Sequence, residues 1–326
     1  MPINVLYTAR NFHKEACDLL SKKNYKLFTI DPYSPAEVII DVVKKENIEA
    51  IITRVNKITR EVFIENPQLK VVVKHGLGVD DIDIEAATEM KVPILTTTPD
   101  ANSQSVAEHA VALIFALAKS VVYLDNQLRD GKWVKNKHAN IEIYGKCLGL
   151  VGIGRISRKV ARIVKPLNMR LIGYDPFISK NKFPDDVEKI NNLKDLLRLA
   201  DFVSLHCPLN VETTNLIDLS KIKEMKTTSY IINTSRGGVI KEEDLIKALK
   251  ENLIAGAGID TFAIEPLGHE SPLLKLQNVI MTPHVGGLTK TYIKKAAIDA
   301  VEKIFLIFEG RIEEIEKSSI INPSVL

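Results

Sequence analysis

Short runs rich in Val, Ile and Leu alternate with helical patterns along almost the whole chain. That alternation restricts the fold more than any other feature of the sequence. In the first third the runs are Asn4 to Tyr7, Lys26 to Ile30, Ala50 to Thr53, Lys70 to Lys74 and Pro93 to Thr96. Helical stretches such as Pro35 to Lys45 lie between them. A β-α-β-α rhythm of this kind predicts a parallel sheet covered on both faces. A second alternation begins at Cys147, with runs at Leu148 to Val151, Arg170 to Tyr174, Phe202 to Leu205, Tyr230 to Asn233, Ala257 to Ile259 and Val279 to Met281. Six parallel strands with helices between them make a second complete doubly wound sheet. The 326 residues are too many for one ordinary core, so two α/β domains are expected.

The rhythm breaks between the two alternations. Ser105-Val106-Ala107-Glu108 reads as a capping box, and the apolar run Ala110 to Ala118 follows it. A helix apolar all round is a buried one, and a place between two domains would bury it. A last helix, about Thr291 to Phe308, is apolar on one face and is expected to return the chain to the first domain. The run Ala110 to Ala118 is too short to span a membrane, and no leader peptide is read at Met1 to Val5. Cys17, Cys147 and Cys207 are too scattered for a disulfide framework or a zinc site, so a reduced cytoplasmic setting and no metal are expected. The net charge of +3 is small and its basic residues are dispersed, which argues against nucleic acid as a partner.

Within the second alternation stands Gly149-Leu150-Val151-Gly152-Ile153-Gly154-Arg155-Ile156-Ser157, at a strand-to-helix junction. Glycines there let the backbone turn sharply and approach a pyrophosphate, and the following helix offers free N–H groups to that anion. Ser157 stands at the third glycine position, where a small residue is needed for helix–strand packing. Asp175 ends the next strand, about 20 residues further on, where a carboxylate accepts hydrogen bonds from ribose hydroxyls and repels a 2′-phosphate. The pattern points to NAD rather than NADP. Taken alone, the glycines also suit an ordinary tight turn.

Three later strands end in polar segments: Ile231 to Gly238, Gly256 to Pro266 and Val279 to Gly287. The carboxyl ends of parallel strands are where such folds bind ligands. Interconverting a hydroxyl and a carbonyl by hydride transfer needs a base in one direction and an acid in the other. Histidine serves both near neutral pH, and a neighbouring carboxylate orients it. An arginine grips a substrate carboxylate through paired hydrogen bonds. His284, Glu265 and Arg236 suit these three roles, although each residue alone also suits a turn or a solvated surface.

These segments, with Lys74-His75-Gly76-Leu77-Gly78-Val79-Asp80, Asn102 to His109 and Ser204-Leu205-His206-Cys207-Pro208-Leu209, resemble the D-isomer-specific 2-hydroxyacid dehydrogenases over essentially the whole chain. The resemblance implies Arg236 on the substrate carboxylate, His284 as acid/base and Glu265 as its partner. It implies Gly152, Gly154, Arg155 and Ile156 at the pyrophosphate and Asp175 at the ribose. His206, Cys207 and Pro208 would lie near the adenine, and Thr234 and Ser235 on the nicotinamide side. Asp260 would face the carboxamide, with Gly286 also in the cofactor site. Gly76, Leu77 and Gly78 would offer backbone N–H groups to the substrate, in the manner of an anion nest, with Arg54 and Asn102 beside them. The family's fold is two doubly wound parallel-sheet domains. A discontinuous flavodoxin-like substrate domain (1–100 plus 291–326) and a Rossmann NAD-binding domain (101–290) enclose an interdomain cleft. A homodimer built through the nucleotide domain is implied as well.

Within the family the chain is most similar to the phosphoglycerate dehydrogenases of serine biosynthesis. Arg54, at the end of a first-domain strand, suits a substrate phosphate, and Lys57, Lys74 and a partner subunit's Lys135 or Lys137 would add charge. Arg54 equally suits a structural or carboxylate-binding role. Lys74 replaces the arginine and Asp81 the asparagine usual in that branch. The chain stops at Leu326, so no C-terminal regulatory domain is expected. Oxidation of 3-phospho-D-glycerate to 3-phosphooxypyruvate is the leading expectation. Reduction of hydroxypyruvate or glyoxylate is the alternative, and a non-catalytic NAD-sensing regulator is an alternative of another kind.

Overall fold

The computed structural model describes residues 2–98 and 100–326. Its contacts divide the chain into two units, one running up to Asn102 and including Thr289–Leu326, the other Ser103–Leu288.

The first unit holds strands β1 (Ile3–Tyr7), β2 (Tyr25–Thr29), β3 (Ala50–Thr53), β4 (Val71–Lys74) and β5 (Ile94–Thr96). They form one parallel sheet in the order β2-β1-β3-β4-β5, the flavodoxin-like order. β3 and β4 are buried along their whole length, which is why they read as unbroken apolar runs. Two cores cover the two faces. One includes Val5, Ile52, Val73 and, from the last helix, Ala300, Val301 and Ile304. The other includes Leu6, Ile39, Ile51, Phe63 and Val72. The last helix runs Lys290–Phe308, one residue longer at its start than its apolar face suggests, because Thr289 caps it by accepting the Tyr292 N–H. The C-terminal segment then closes the edge of the sheet: Ile321 donates to Ile94, and Asn322 accepts the Ile94 N–H at 2.7 Å.

The second unit holds β6 (Cys147–Val151), β7 (Arg170–Tyr174), β8 (Glu188–Lys189), β9 (Phe202–Leu205), β10 (Tyr230–Asn233), β11 (Gly256–Ile259) and β12 (Val279–Met281). The parallel order is β12-β11-β10-β9-β6-β7-β8. The sheet therefore has seven strands, not the six expected. β8 is a two-residue edge strand of Glu and Lys, paired with Ile172 and Gly173 through backbone alone. The order in which strands are added reverses between β6 and β9, the switch point at which doubly wound sheets bind ligands.

Two expectations for the helix between the alternations need correction. It runs Ser103–Ala118, so Ser105 lies inside the first turn and is not the cap, and Glu108 accepts from Gln104 instead of reaching back. Nor is it buried all round: Ala112 and Phe115 are exposed. Its other face, Ala110, Leu113, Ile114 and Leu117, packs into the second unit against the helix Arg155–Val164 and strands β10 and β11. No single helix among the described residues is long and apolar enough to cross a membrane.

Candidate active site

At the end of β6 the chain turns at Gly152, which adopts φ +87° and donates to the Tyr174 carbonyl at 2.8 Å. A side chain there would be strained twice over, since its Cβ would lie 2.8 Å from the Cys207 nitrogen. Gly154 then opens the helix Arg155–Val164, and a Cβ on it would meet nothing within 4 Å. The space a ligand phosphate needs in front of the helix start is therefore open. Ser157 is fully buried in the helix packing and turns its hydroxyl to the Gly154 carbonyl at 3.1 Å. Asp175, half-buried at the end of β7, accepts from Ile153 N–H at 2.9 Å and Phe177 N–H at 3.0 Å.

Two polar atoms around this turn are buried without a partner: Thr234 Oγ1 and His206 Nδ1. The other ring nitrogen of His206 bonds Ser204 Oγ at 2.9 Å, and burial pushes its pKa down to about 3, so it is neutral. Burial raises the Cys207 thiol to about 11, so that side chain is a small apolar wall, not a nucleophile. A tight glycine turn, an open helix start, a ribose-height carboxylate and unpartnered hydroxyl and imidazole groups fit a dinucleotide with adenine, ribose and amide functions.

Three loops carry the charged candidates. After β12, His284 takes a left-handed φ of 52° and donates its N–H to the carbonyls of Asp260 (2.8 Å) and Thr282 (2.9 Å). After β11, Glu265 accepts the Phe262 N–H through Oε1 at 3.0 Å and bonds His284 Nδ1 through Oε2 at 2.7 Å. The histidine side chain is 43% exposed, open enough to reach a ligand, while the carboxylate behind it is 26% exposed. After β10, Asn233 accepts from Ser235 N–H and Oγ and donates to the Arg236 carbonyl at 2.9 Å, which fixes the backbone ahead of the half-buried Arg236.

Asp260, expected from the resemblance to face the carboxamide, also organises the loop that carries His284. It is buried, and it accepts from Thr282 Oγ1 (2.5 Å), Val285 N–H and Gly286 N–H (both 2.9 Å). Burial alone would raise its pKa, but these bonds and His109, 3.5 Å away, hold it below the ordinary carboxylate range. His109 Nε2 also meets Thr282 Oγ1 at 2.9 Å. In the sequence His109 is only the end of a motif. Nothing there marks Thr282, or Glu242, whose carboxylate accepts the Ala263 N–H at 3.0 Å.

The first unit carries a separate polar cluster. The Arg54 guanidinium acts electrostatically on Tyr7, His75 and Tyr292. His75 Nδ1 bonds the Tyr7 hydroxyl at 3.2 Å, and its ring packs near Phe12 and Tyr292. Burial, with the Arg54 charge added, pushes the His75 pKa down to about 4, so the ring is neutral. Gly76 leads the loop Gly76, Leu77 and Gly78, and its carbonyl accepts the Thr97 hydroxyl at 3.0 Å. Asn102 Oδ1 is buried without a partner.

Lys74 does not act as the added free charge the sequence suggested. Its ammonium forms a largely buried ion pair with Asp81 and donates to the Arg54 carbonyl at 2.8 Å. Lys57, in contrast, is exposed. Among the described residues no group of three or more His, Cys, Asp or Glu side chains is arranged to hold a metal ion.

Comparison with known proteins agrees with this geometry. Residues 111–286 match the model of the D-isomer specific 2-hydroxyacid dehydrogenase NAD binding domain. A D-3-phosphoglycerate dehydrogenase of Synechocystis sp. is 40% identical over 272 residues, which are 83% of this chain and 48% of the relative. A glyoxylate reductase of Korarchaeum cryptofilum is 38% identical over 283 residues, 85% of this chain and 84% of the relative. The TT0316 protein of Thermus thermophilus superposes with a TM-score of 0.86 at 31% identity, covering 94% of this chain and 97% of that one. The chain belongs to the D-isomer specific 2-hydroxyacid dehydrogenase family. Its second unit holds the family's NAD-binding domain, and NAD is its cofactor. The chain spans about half the length of the D-3-phosphoglycerate dehydrogenases it matches.

Proposed function

We propose that the protein exchanges a hydride between NAD and a D-2-hydroxy acid, interconverting that acid and its 2-oxo form. The observation that carries this reading is the His284–Glu265 bond at 2.7 Å, an imidazole backed by a carboxylate in a unit built to hold a dinucleotide. NAD, when bound, supplies the hydride acceptor or donor. Neutral His284 takes the proton from the substrate hydroxyl, and in the reverse direction imidazolium returns it to the carbonyl oxygen. Glu265 stabilises the imidazolium and holds the ring by its Nδ1. Arg236 grips the substrate carboxylate, aligning the carbon that gives or receives the hydride.

Around the cofactor we assign Gly152, Gly154, Arg155 and Ile156 to the pyrophosphate and Asp175 to the ribose hydroxyls. His206, Cys207 and Pro208 take the adenine, and Thr234, Ser235, Asp260 and Gly286 the nicotinamide end. Arg54, Asn102 and the backbone of Gly76, Leu77 and Gly78 are assigned to the substrate.

For the substrate, 3-phospho-D-glycerate is the reading supported by the phosphoglycerate dehydrogenase relatives, and it would place the chain in serine biosynthesis. Reduction of hydroxypyruvate or glyoxylate is favoured by one observation: Lys74 is paired with Asp81, so that Arg54 is the stronger of the two cations acting on the His75 and tyrosine cluster. A homodimer is inferred from the resemblance and from the exposed Val121, Val122, Leu128 and Trp133 of the second unit. The three unpaired cysteines suit a cytoplasmic enzyme. The test is NADH formation or consumption across a panel of D-2-hydroxy acids and 2-oxo acids, phosphorylated and not. Turnover of none of them would refute the proposal.

A further inference from the structure

We propose that Glu242 is a positioning residue for the acid–base pair, holding Glu265 on His284 by clamping the peptide between Phe262 and Ala263. The inference rests on the proposed roles of His284 and Glu265.

That peptide and the one before it, which carries the Phe262 N–H, are held at three points. The Phe262 N–H goes to Glu265 Oε1 at 3.0 Å, and the Ala263 N–H goes to Glu242 Oε2 at 3.0 Å. Gly237 presses on it directly, since a Cβ there would lie 1.9 Å from the Phe262 carbonyl carbon and 2.4 Å from the Ala263 nitrogen. Gly237 and Glu242 belong to one short stretch of chain that begins at Arg236. The stretch carrying the proposed carboxylate grip therefore touches the loop carrying Glu265 at two places, once by backbone and once by a carboxylate.

Packing does not make the Glu242 bond redundant. Behind it lies a small cavity lined by Gly237, Glu242, Leu245 and Thr261, among others, and Thr261 Oγ1 has no hydrogen-bond partner there. Ala263 and Ile264 are exposed, so apolar contacts do little to fix the loop between Phe262 and Glu265. Without Glu242 the Ala263 N–H loses its acceptor, and the exposed turn from Phe262 to Glu265 loses a tether. A shift of that turn draws Glu265 away from the Phe262 N–H and frees its carboxylate to leave the imidazole. A simpler account is that Glu242 only complements the start of the helix Glu242–Lys250, whose first turn also holds Glu243 and Asp244. Glu243, in the same helical turn, serves as the control for that account.

The experiment measures NAD-dependent kcat, together with NADH affinity by fluorescence, for Glu242→Ala, Glu242→Asp, Glu242→Gln and Glu243→Ala. The clamp predicts that Glu242→Ala loses kcat about tenfold or more, the scale of a sub-ångström misplacement of a reacting group. NADH affinity stays within about twofold. Glu242→Asp, charged but too short, behaves like the alanine variant. Glu242→Gln, whose amide oxygen still accepts the Ala263 N–H, keeps most of the rate, and Glu243→Ala matches wild type. A wild-type rate in Glu242→Ala would overturn the proposal. So would an aspartate that rescues as well as glutamine, or a loss of NADH affinity matching the loss of rate. If His284→Ala itself turned over normally, the proposed roles of the pair would be the failure, and not the clamp.

Discussion

Asp260 Oδ2 accepts the Gly286 N–H at 2.9 Å, and a Cβ on Gly286 would come equally close to that same oxygen. The loop bearing His284 is thus fastened to one buried carboxylate, which also holds Thr282 and Val285. Replacing Asp260 with alanine leaves these donors unsatisfied in a dry site. A loss of about 2–4 kcal/mol in stability is expected, seen as a lower urea midpoint with an unchanged slope. Turnover should fall further than stability explains, because His284 loses its support.

Gly237→Ala tests the contact between the Arg236 loop and the Glu265 loop without touching any charge. The added methyl has no place beside Phe262, so one loop must move. A fall in kcat/KM of about 100-fold is predicted, with both loops perturbed and NADH binding retained. A variant with wild-type kinetics would show that the loops tolerate separation.

Acid should destabilise the first unit through His75. Its folded pKa is about 4 against an ordinary 6.5, so between those values the unfolded chain binds a proton that the folded one does not. Stability therefore rises with pH across this window, and the unit loses about 3 kcal/mol on going from pH 6.5 to pH 4. His75→Asn should flatten that part of the stability-against-pH curve, whatever it does to absolute stability. An unchanged slope would mean that His75 titrates freely.

The Lys74–Asp81 pair gives the substrate question a direct handle. Asp81→Asn removes the carboxylate paired with Lys74 and so adds one net positive charge beside Arg54. The ratio of kcat/KM for phosphorylated over unphosphorylated substrates should rise about tenfold, the scale of one added charge contact. Arg54→Ala should lower that ratio. If both variants change the two substrates equally, neither residue reads the phosphate.

Strands are legible where burial on both faces forces unbroken Val, Ile and Leu, as in β3 and β4. β8 is not, because Glu188 and Lys189 pair through backbone on an edge that asks nothing of their side chains. The Ser105-Glu108 pattern misleads because the helix has already begun at Ser103 and Glu108 has a nearer partner in Gln104. In the site, Gly152, Asp175, Glu265 and His284 can be read because their chemistry demands particular residue types at particular strand ends. Asp260, Glu242 and Lys74 cannot be read as the structure uses them. Two hold backbone N–H groups and one is cancelled by Asp81. A carboxylate or ammonium in a turn looks the same in sequence whether it meets solvent, backbone or ligand.

His284, backed by Glu265, is proposed to move the proton in an NAD-linked oxidation of a D-2-hydroxy acid. The most direct measurement compares wild type and His284→Ala for NADH formation with D-2-hydroxy acids, alongside NADH affinity. Turnover of at least one D acid and none of its L isomer is expected. So is a loss of about 10²–10⁴-fold in His284→Ala with NADH affinity retained. A His284→Ala enzyme that turns over at the wild-type rate would contradict that role of His284.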